Sequence, residues 1–413
     1  MPRVVLGVSG GIAAYKSAEI VRRLRALDSD VTVVPTAAAL RFVGAATFEA
    51  LSGNPVATDV FTDVPEVAHV HTGQHADLII VAPATADLLA RAAVGRADDL
   101  LTATLLVTRA PVLMAPAMHT EMWTHPATVA NVATLRARGV TVLDPAVGRL
   151  TGADSGPGRL PEPEHVVALA EVLLHRPDAL PHDLAGRRVV ISAGGTREPL
   201  DPVRYLGNRS SGRQGYAMAL VAAARGAKVV LVAANTDLSD PPGVEVVRVG
   251  SALELQAAMV ECSVRADAVV MTAAVADFRP TDASPTKIKK QGPDAAPAVQ
   301  LVQNPDVLAG LVAARTGALP VIVGFAAETG DAGGTVLEYG SAKLARKGCD
   351  LMVVNRVDEG RAFGAEGNEA VILAADGAEP VTVGFAPKAV LAAAICDAVV
   401  RRLETDPSLG RRC

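Results

Sequence analysis

Residues 3–11 read Arg3-Val-Val-Leu-Gly-Val-Ser-Gly-Gly11, and residues 188–195 read Arg188-Val-Val-Ile-Ser-Ala-Gly-Gly195. Each is a short β-branched run that ends in paired glycines, the pattern of a buried first strand turning straight into a helix. Outward from the first, apolar runs at 31–34, 78–82, 112–115 and 140–143 alternate with helical patterns such as 13–27 and 86–93. Outward from the second, runs at 229–232, 244–249, 268–272, 321–324 and 351–354 repeat the alternation, which closes with 370–374 and a helix over 388–403. Strand and helix in alternation imply parallel crossovers, so the expected class is α/β, with two doubly wound, mainly parallel-sheet domains. Residues 176–187, RPDALPHDLAGR, carry two prolines, a glycine and mixed charge, and read as a short exposed linker. The boundary is placed near 183, giving domains 1–182 and 183–413, with the polar stretch 404–413 read as a frayed tail.

A chain of 413 residues is long enough for two or three domains. Lys+Arg 39 against Asp+Glu 44 leaves a net charge of -5, so no basic field exists to attract nucleic acid or anionic lipid. Aromatics at 3% leave few platforms for base stacking. The longest uncharged stretch, from Met122 to Leu135, is shorter than the roughly twenty apolar residues of a membrane-spanning helix. Gly7, Gly10 and Gly11 break the apolar run after Arg3, and Lys16 follows it, so this stretch reads as a strand and glycine turn rather than a signal peptide. Cys262, Cys349, Cys396 and Cys413 are scattered without metal-ligand spacing, and the expectation is a reduced, cytoplasmic protein without zinc.

In open α/β sheets a ligand sits beyond the C-terminal strand ends, where a glycine turn lets backbone amides meet a phosphate. Ser9, Gly10 and Gly11 stand there. The spacing is not G-x-G-x-x-G, and the second strand ends at Pro35-Thr36 without a carboxylate for an adenosine ribose, so a mononucleotide is favoured over NAD. A merely tight strand-to-helix connection would carry the same glycines. His69, His71 and His75 lie close together, but no Cys and no i, i+4 His-Glu pattern accompanies them to suggest a metal.

The strand ends Val8-Ser-Gly-Gly-Ile-Ala-Ala-Tyr-Lys16, Val81-Ala-Pro-Ala-Thr-Ala-Asp87, Ala97-Asp-Asp-Leu-Leu101 and Ala115-Pro-Ala-Met-His-Thr-Glu-Met-Trp123 together resemble the homo-oligomeric flavin-containing cysteine decarboxylases over nearly the whole first domain. The resemblance implies a flavodoxin-like sheet and FMN held by Ser9, Gly10, Gly11, Thr36, Pro83, Ala84 and Thr85. It also implies trimers, substrate contacts from Met118, His119 and Met122, and His69 as catalytic base. Histidine suits that role, because a thiol-bearing substrate must lose a proton to a base of near-neutral pKa. Two positions depart from the family pattern: His119 stands where it has asparagine, and Gly152 where the phosphopantothenoylcysteine branch has a proton-donating cysteine. No cysteine precedes Cys262, so the acid comes from another group such as Asp154, from water or from another chain, or the reductive half is impaired; Asp154, on the same Gly/Pro-rich flap, is the first candidate if burial keeps it protonated.

In the second domain a polar loop from Thr196 ends in Asn208-Arg-Ser-Ser-Gly212 before a helix, an anion-binding geometry without the G-K-[ST] of a Walker loop, which a plain capped helix would equally explain. Further on come Ala273-Ala-Val-Ala-Asp277-Phe-Arg, Lys287-Ile-Lys-Lys290, Asn304-Pro-Asp306, Gly324-Phe-Ala-Ala-Glu-Thr329 and the pair Lys343 and Lys347. As an ordered set these are similar to phosphopantothenate–cysteine ligase across residues 188–403. The resemblance implies a Rossmann-like domain that activates a carboxylate as an acyl-cytidylate. The CTP pocket would comprise Ala273, Asp277, Phe278, Lys287, Asn304, Pro305, Asp306, Val307, Phe325, Lys343 and Lys347, with Mg²⁺ accompanying the nucleotide and its protein ligands unassigned. Lys287 and Asn208 would be catalytic, and Arg204 with Asn208 would hold phosphopantothenate.

Decarboxylase followed by ligase matches the bacterial bifunctional enzymes of coenzyme A synthesis, whose ligase product is the decarboxylase substrate. The implied partners are small molecules (4′-phosphopantothenate, L-cysteine and CTP) and further copies of the chain, with no nucleic acid and no membrane. Two alternatives remain at this point. A two-domain flavin reductase would share the layout but lacks dinucleotide glycine spacing. A non-catalytic flavoprotein regulator related to halotolerance phosphatase inhibitors would lack the Asn208, Asp277 and Lys287 set.

Overall fold

The computed structural model of the chain describes residues 1–56, 68–150, 154–289, 298–328, 335–356 and 367–405. It divides into two compact units: Met1–Asp183 with Ala223–Gly226 and Pro241–Gly243, and Leu184–Ala222 with Ala227–Asp240 and Val244–Cys413.

In the first unit β1 (Arg3–Val8), β2 (Asp30–Pro35), β3 (Leu78–Ala84), β4 (Val112–Pro116) and β5 (Thr141–Val142) form a parallel sheet of order β2-β1-β3-β4-β5. The helices are α1 (Ser17–Ala26), α2 (Ala45–Ser52), α3 (Ala68–His75), α4 (Ala86–Val94), α5 (Leu100–Val107), α6 (Thr120–Thr124), α7 (Pro126–Ala137) and α8 (Pro163–His175). Strand β3 is buried along its whole length, which explains its unbroken apolar reading: both faces of a parallel sheet are covered. A core of Ile79, Val81, Leu88, Leu101, Met114 and their neighbours packs beneath the helices. The expected helix over 13–27 begins instead with a 3₁₀ turn, Ile12–Lys16, before α1.

The second unit is built on an eight-stranded sheet. Its members are β8 (Arg188–Gly194), β11 (Lys228–Ala234), β12 (Val244–Val249), β13 (Ala268–Met271), β16 (Val321–Glu328), β17 (Leu351–Arg356), β18 (Gly367–Ala374) and β19 (Val381–Pro387), in the order β12-β11-β8-β13-β16-β17-β18-β19. The pairings from β12 to β17 are parallel, and those of β17 with β18 and β18 with β19 are antiparallel. Helices α9 (Arg213–Ala224), α10 (Ala252–Ser263), α11 (Val307–Ala314), α12 (Val336–Lys347) and α13 (Lys388–Thr405) accompany it. Ser251 and Glu254 form a capping box on α10, and Thr335 and Glu338 do the same on α12. Helix α13 extends through Glu404 and Thr405, where the tail was expected to begin, and the Thr405 hydroxyl donates to the Arg401 carbonyl at 2.9 Å.

Three two-stranded hairpins lie outside these sheets: β6 (Ala146–Arg149) with β7 (Ser155–Arg159), β9 (Arg197–Asp201) with β10 (Arg204–Gly207), and β14 (Phe278–Pro280) with β15 (Leu301–Gln303). No helix among the described residues is long and apolar enough to cross a membrane.

In each sheet the strand order reverses beside the first strand, between β1 and β3 and between β8 and β13, which opens a crevice at the carboxyl ends. Gly194 closes β8 there with φ +85, and a Cβ on it would meet the Ala234 carbonyl oxygen. Gly194→Ala is expected to cost at least about 1–3 kcal/mol from backbone strain. Urea unfolding of the second unit, followed by circular dichroism, checks this: an unchanged midpoint would show that the turn relaxes freely.

Candidate active sites

At the first crevice the Ser9 hydroxyl donates to the Pro83 carbonyl (2.7 Å) and accepts from the Thr85 amide (2.9 Å), which locks the β1 turn to the end of β3. The Ser17 hydroxyl adds a bond to the Ala82 carbonyl at 2.6 Å. Gly10 lies so close to Ala38 that a side chain there would collide. Thr85 caps α4 through the Leu88 amide.

These loops open onto a cavity of about 450 Å³ lined by Gly10, Gly11, Pro83, Thr85, Met118, His119 and Met122, so the structure brings most of the expected flavin and substrate residues together. Lys16, Arg149 and Arg159 also line it, and among the described residues no carboxylate does. Glu162 lies beside it, accepting from Lys16 at 2.8 Å and from Arg159 at 3.2 Å. Hairpin β6–β7 docks on this rim: the Met118 amide donates to the Gly158 carbonyl at 2.9 Å.

Other expected residues lie elsewhere. Ala84 is buried in β3, and Thr36 is buried with its hydroxyl accepting from the Ala39 amide at 3.2 Å. His69, on α3, does not line the cavity; its Nδ1 is buried and has no hydrogen-bond partner among the described residues. His71 and His75 stack at 4.3 Å, with His75 Nδ1 on the His71 carbonyl, which accounts for them locally. Asp154 is exposed, and Gly152 lies outside the described residues. The Ala97–Leu101 stretch has a structural explanation, since Arg91 pairs with Asp98 (2.9 Å) and Asp99 (2.7 Å) while Asp99 caps α5.

In the second unit a loop after β13 gathers three expected residues. Asn208 donates to the Val275 carbonyl at 3.0 Å. Asn304 donates through its side chain to the Ala276 carbonyl and through its amide to the Asp277 carbonyl, both at 2.8 Å. Asp277, Phe278 and Asn208 are exposed around that loop, and Pro305 follows Asn304 into α11. Asp306 caps α11 and pairs with Lys347, while Val307 is buried at the start of the helix. Lys343 lies one turn before Lys347 on α12. Ala273 and Phe325 instead line a cavity of about 200 Å³ with residues 209–215 and Lys388. A second cavity of about 670 Å³ is lined by Asp201, Arg204, Tyr205 and Arg279 among others.

Sequence reasoning missed Asp201, although Asp201-Pro202 is a turn signal. Its buried carboxylate accepts from the amides of Val203 (2.9 Å), Arg204 (2.9 Å) and Ile288 (3.1 Å) and from the Arg204 guanidinium. Through the Ile288 amide it positions the exposed Lys287 segment against the β9–β10 hairpin, and Arg204 adds a bond to the Ile288 carbonyl at 2.5 Å. Burial would raise the Asp201 pKa, but the bonds from Val203, Ile288 and Arg204 outweigh it and hold the carboxyl below the usual carboxylate range. Its stabilising effect is therefore present above the unfolded value, about pH 4, and is lost as pH falls through the lower folded value. Asp201→Asn is expected to lower the second unit's urea midpoint at pH 7 and to flatten its fall under acid conditions. Parallel wild-type and variant curves across that pH range would exclude this role.

Residues 1–175 match the family described as Flavoprotein, and residues 184–403 match the DNA/pantothenate metabolism flavoprotein C-terminal domain. The chain is 63% identical over 403 residues to the coenzyme A biosynthesis bifunctional protein CoaBC of Mycobacterium tuberculosis, covering 96% of each. It is 43% identical over 378 residues to the protein of that name from Vibrio parahaemolyticus, covering 91% of this chain and 92% of the relative. Among solved structures it resembles the C-terminal domain of a CoaBC protein at 33% identity and TM-score 0.46, over 55% of this chain and 100% of that one.

Proposed function

This chain belongs to the family of bifunctional coenzyme A biosynthesis proteins, enzymes with a flavoprotein decarboxylase domain and a ligase domain, and we propose that it joins 4′-phosphopantothenate to L-cysteine with CTP and then decarboxylates the product with FMN. The observation that carries the decarboxylase half is the cavity that unites the glycine turn, Pro83, Thr85, Met118 and His119 beside three cations. The flavin reductase and the non-catalytic regulator are not favoured by relatives matched through both domains.

FMN fits the first unit: Gly11 leaves open space to within 3.8 Å of Thr85, and Ile12 and Met118 supply apolar walls beside the polar strand ends. When bound, it supplies a two-electron acceptor. Gly10, Gly11 and Thr85 hold and orient it, and Met118, His119 and Met122 hold the substrate, with a His119 ring nitrogen donating to the carboxylate in place of an asparagine amide. His69 takes the thiol proton. Because His69 does not line the cavity of its own chain, a neighbouring copy supplies it in a homo-oligomer built on trimers. Ile12, Tyr15 and Met122, exposed at the cavity rim, support such an interface.

In the second unit the substrate carboxylate attacks the α-phosphate of CTP, and diphosphate leaves; Mg²⁺, where it accompanies the nucleotide, would offset phosphate charge. Lys287 offsets charge on the phosphates, and Asp277 contacts the nucleotide or its metal. Asn208 and Arg204 hold the acyl part while the cysteine amine displaces CMP.

Incubation with 4′-phosphopantothenate, cysteine and either CTP or ATP, with products identified by mass, tests the reading: amide, CMP and CO₂ are expected with CTP, and failure to form the amide with either nucleotide would refute it. Lys287→Ala and Asn208→Ala are expected to abolish ligation while flavin content and decarboxylation of supplied 4′-phosphopantothenoylcysteine persist. His69→Asn is expected to retain flavin and slow decarboxylation by about 10²–10⁴-fold. Wild-type turnover in that variant would remove His69 from the mechanism.

A further inference from the structure

Residues 155–163 read Ser155-Gly-Pro-Gly-Arg-Leu-Pro-Glu-Pro163. Gly156 and Gly158 stand on one face of β7, and that face lies directly on the segment that carries Met118 and His119. A Cβ on Gly156 would collide with the Thr120 hydroxyl oxygen, and one on Gly158 with the Met118 carbonyl oxygen. A strand seated through glycines gains little from side-chain packing, so its position depends on what holds its ends. Leu160 and Pro161 are buried just beyond it, and Glu162 follows at the N-cap of α8. An N-cap side chain ordinarily accepts from the first amides of its helix, yet among the described residues the Glu162 carboxylate makes no such bond. It turns instead to two cations: Oε2 accepts from the Lys16 ammonium at 2.8 Å, and Oε1 from the Arg159 guanidinium at 3.2 Å. Lys16 ends the 3₁₀ turn that follows the glycines, and Arg159 ends β7. One carboxylate thus joins the glycine turn to the hairpin through the two cations, both of which line the 450 Å³ cavity.

We propose that Glu162 is a positioning residue of the first site: it holds Lys16 and Arg159 in place on the cavity wall, where the two cations meet the phosphate of the substrate. This rests on reading the first unit as the decarboxylase of a phosphorylated substrate. It adds a residue that acts through the two cations and does not itself touch the reacting atoms. Without a shared carboxylate, an ammonium and a guanidinium on long side chains repel each other and sample many rotamers. Cations already held in place bind an anion without first losing that freedom. The same carboxylate also offsets part of their charge, an effect that by itself would weaken anion binding. The Glu162 side chain is 34% exposed, so water and salt screen that through-space effect, whereas loss of the carboxylate would release both cations at once. Positioning therefore outweighs neutralisation, and the two roles predict opposite signs.

The test uses the full-length protein with its flavin bound and Glu162→Gln, which keeps the shape of the side chain and removes its charge. The KM for 4′-phosphopantothenoylcysteine is expected to rise by about tenfold with a smaller change in kcat, while the KM for pantothenoylcysteine, which lacks the phosphate, stays as it is in the wild type. The rise is expected to shrink when Lys16→Met is already present, since Glu162 then has one cation fewer to act through. An unchanged KM would reduce Glu162 to a structural latch, a lower KM would make it a neutraliser of charge, and an equal rise for both substrates would remove the phosphate from the argument; each overturns the proposal. Loss of flavin on gel filtration with an unchanged KM per bound flavin would assign the cations to the cofactor's phosphate and overturn it as well. If Glu162→Gln fails to fold, Glu162→Asp decides, because its shorter side chain cannot reach both cations: a raised KM for the phosphorylated substrate supports the role, and an unchanged one overturns it. Wild-type protein that forms no 4′-phosphopantetheine from supplied 4′-phosphopantothenoylcysteine would overturn the decarboxylase reading itself, an outcome distinct from decarboxylation that is indifferent to Glu162.

Discussion

The Ser9 hydroxyl, bonded at once to the Pro83 carbonyl and the Thr85 amide, is the constraint on which the first site depends. Where parallel strands end at a switch point, their last backbone groups have left the ladder and still need partners. A short hydroxyl supplies one donor and an acceptor at direct hydrogen-bonding distance from both strand ends. The second unit meets the same demand with different residues: the Ser192 hydroxyl accepts from the Ala273 amide at 3.1 Å, and the Thr196 hydroxyl accepts from the Ala276 amide at 2.9 Å. Each sheet thus holds its ligand-facing loops through buried hydroxyls behind the glycines, and the glycines themselves stay free of side chains at the surface a ligand would meet.

The sheets were legible because buried parallel strands carry their signal in every residue. Val4, Leu6, Ile79, Ile80, Val190 and Val269 are almost wholly inaccessible, so no polar alternation interrupts the pattern. The hairpins were not legible for the converse reason. Strand β10 is exposed throughout and β15 likewise, so their residues follow no hydrophobic period, and β7 reads Ser-Gly-Pro-Gly-Arg, a sequence that suggests only a loop. Yet these hairpins carry the Arg204 and Arg159 that border the sites. Cations that border each site therefore sit on the elements whose sequence says least about their conformation.

A similar asymmetry separates the residues that motif reading identified from those it missed. Asn208, Asp277 and Asn304 stand in short polar clusters that interrupt apolar runs, and the structure brings all three together around the loop after β13. Asp201 and Lys388 look ordinary in sequence, one beside a proline in a turn and the other at a helix start, where an exposed lysine would excite no interest. Their significance lies in burial, a property set by packing from distant segments: Ile288 reaches Asp201 across 87 residues, and Gln214 reaches Lys388 across 174. No local pattern encodes such a contact.

The same long-range bonds constrain how the second site can work. Lys287 is exposed, and its ammonium can reach a ligand in many directions, but its backbone is held by the Ile288 amide on Asp201 and the Ile288 carbonyl on Arg204. A tethered backbone under a free side chain keeps the charge near the β9–β10 hairpin while leaving the ammonium itself mobile. Lys388 is the opposite case, a rigid cation fixed by burial. Fixed charge suits the part of a reaction where charge accumulates in one place, and mobile charge suits the part where geometry changes.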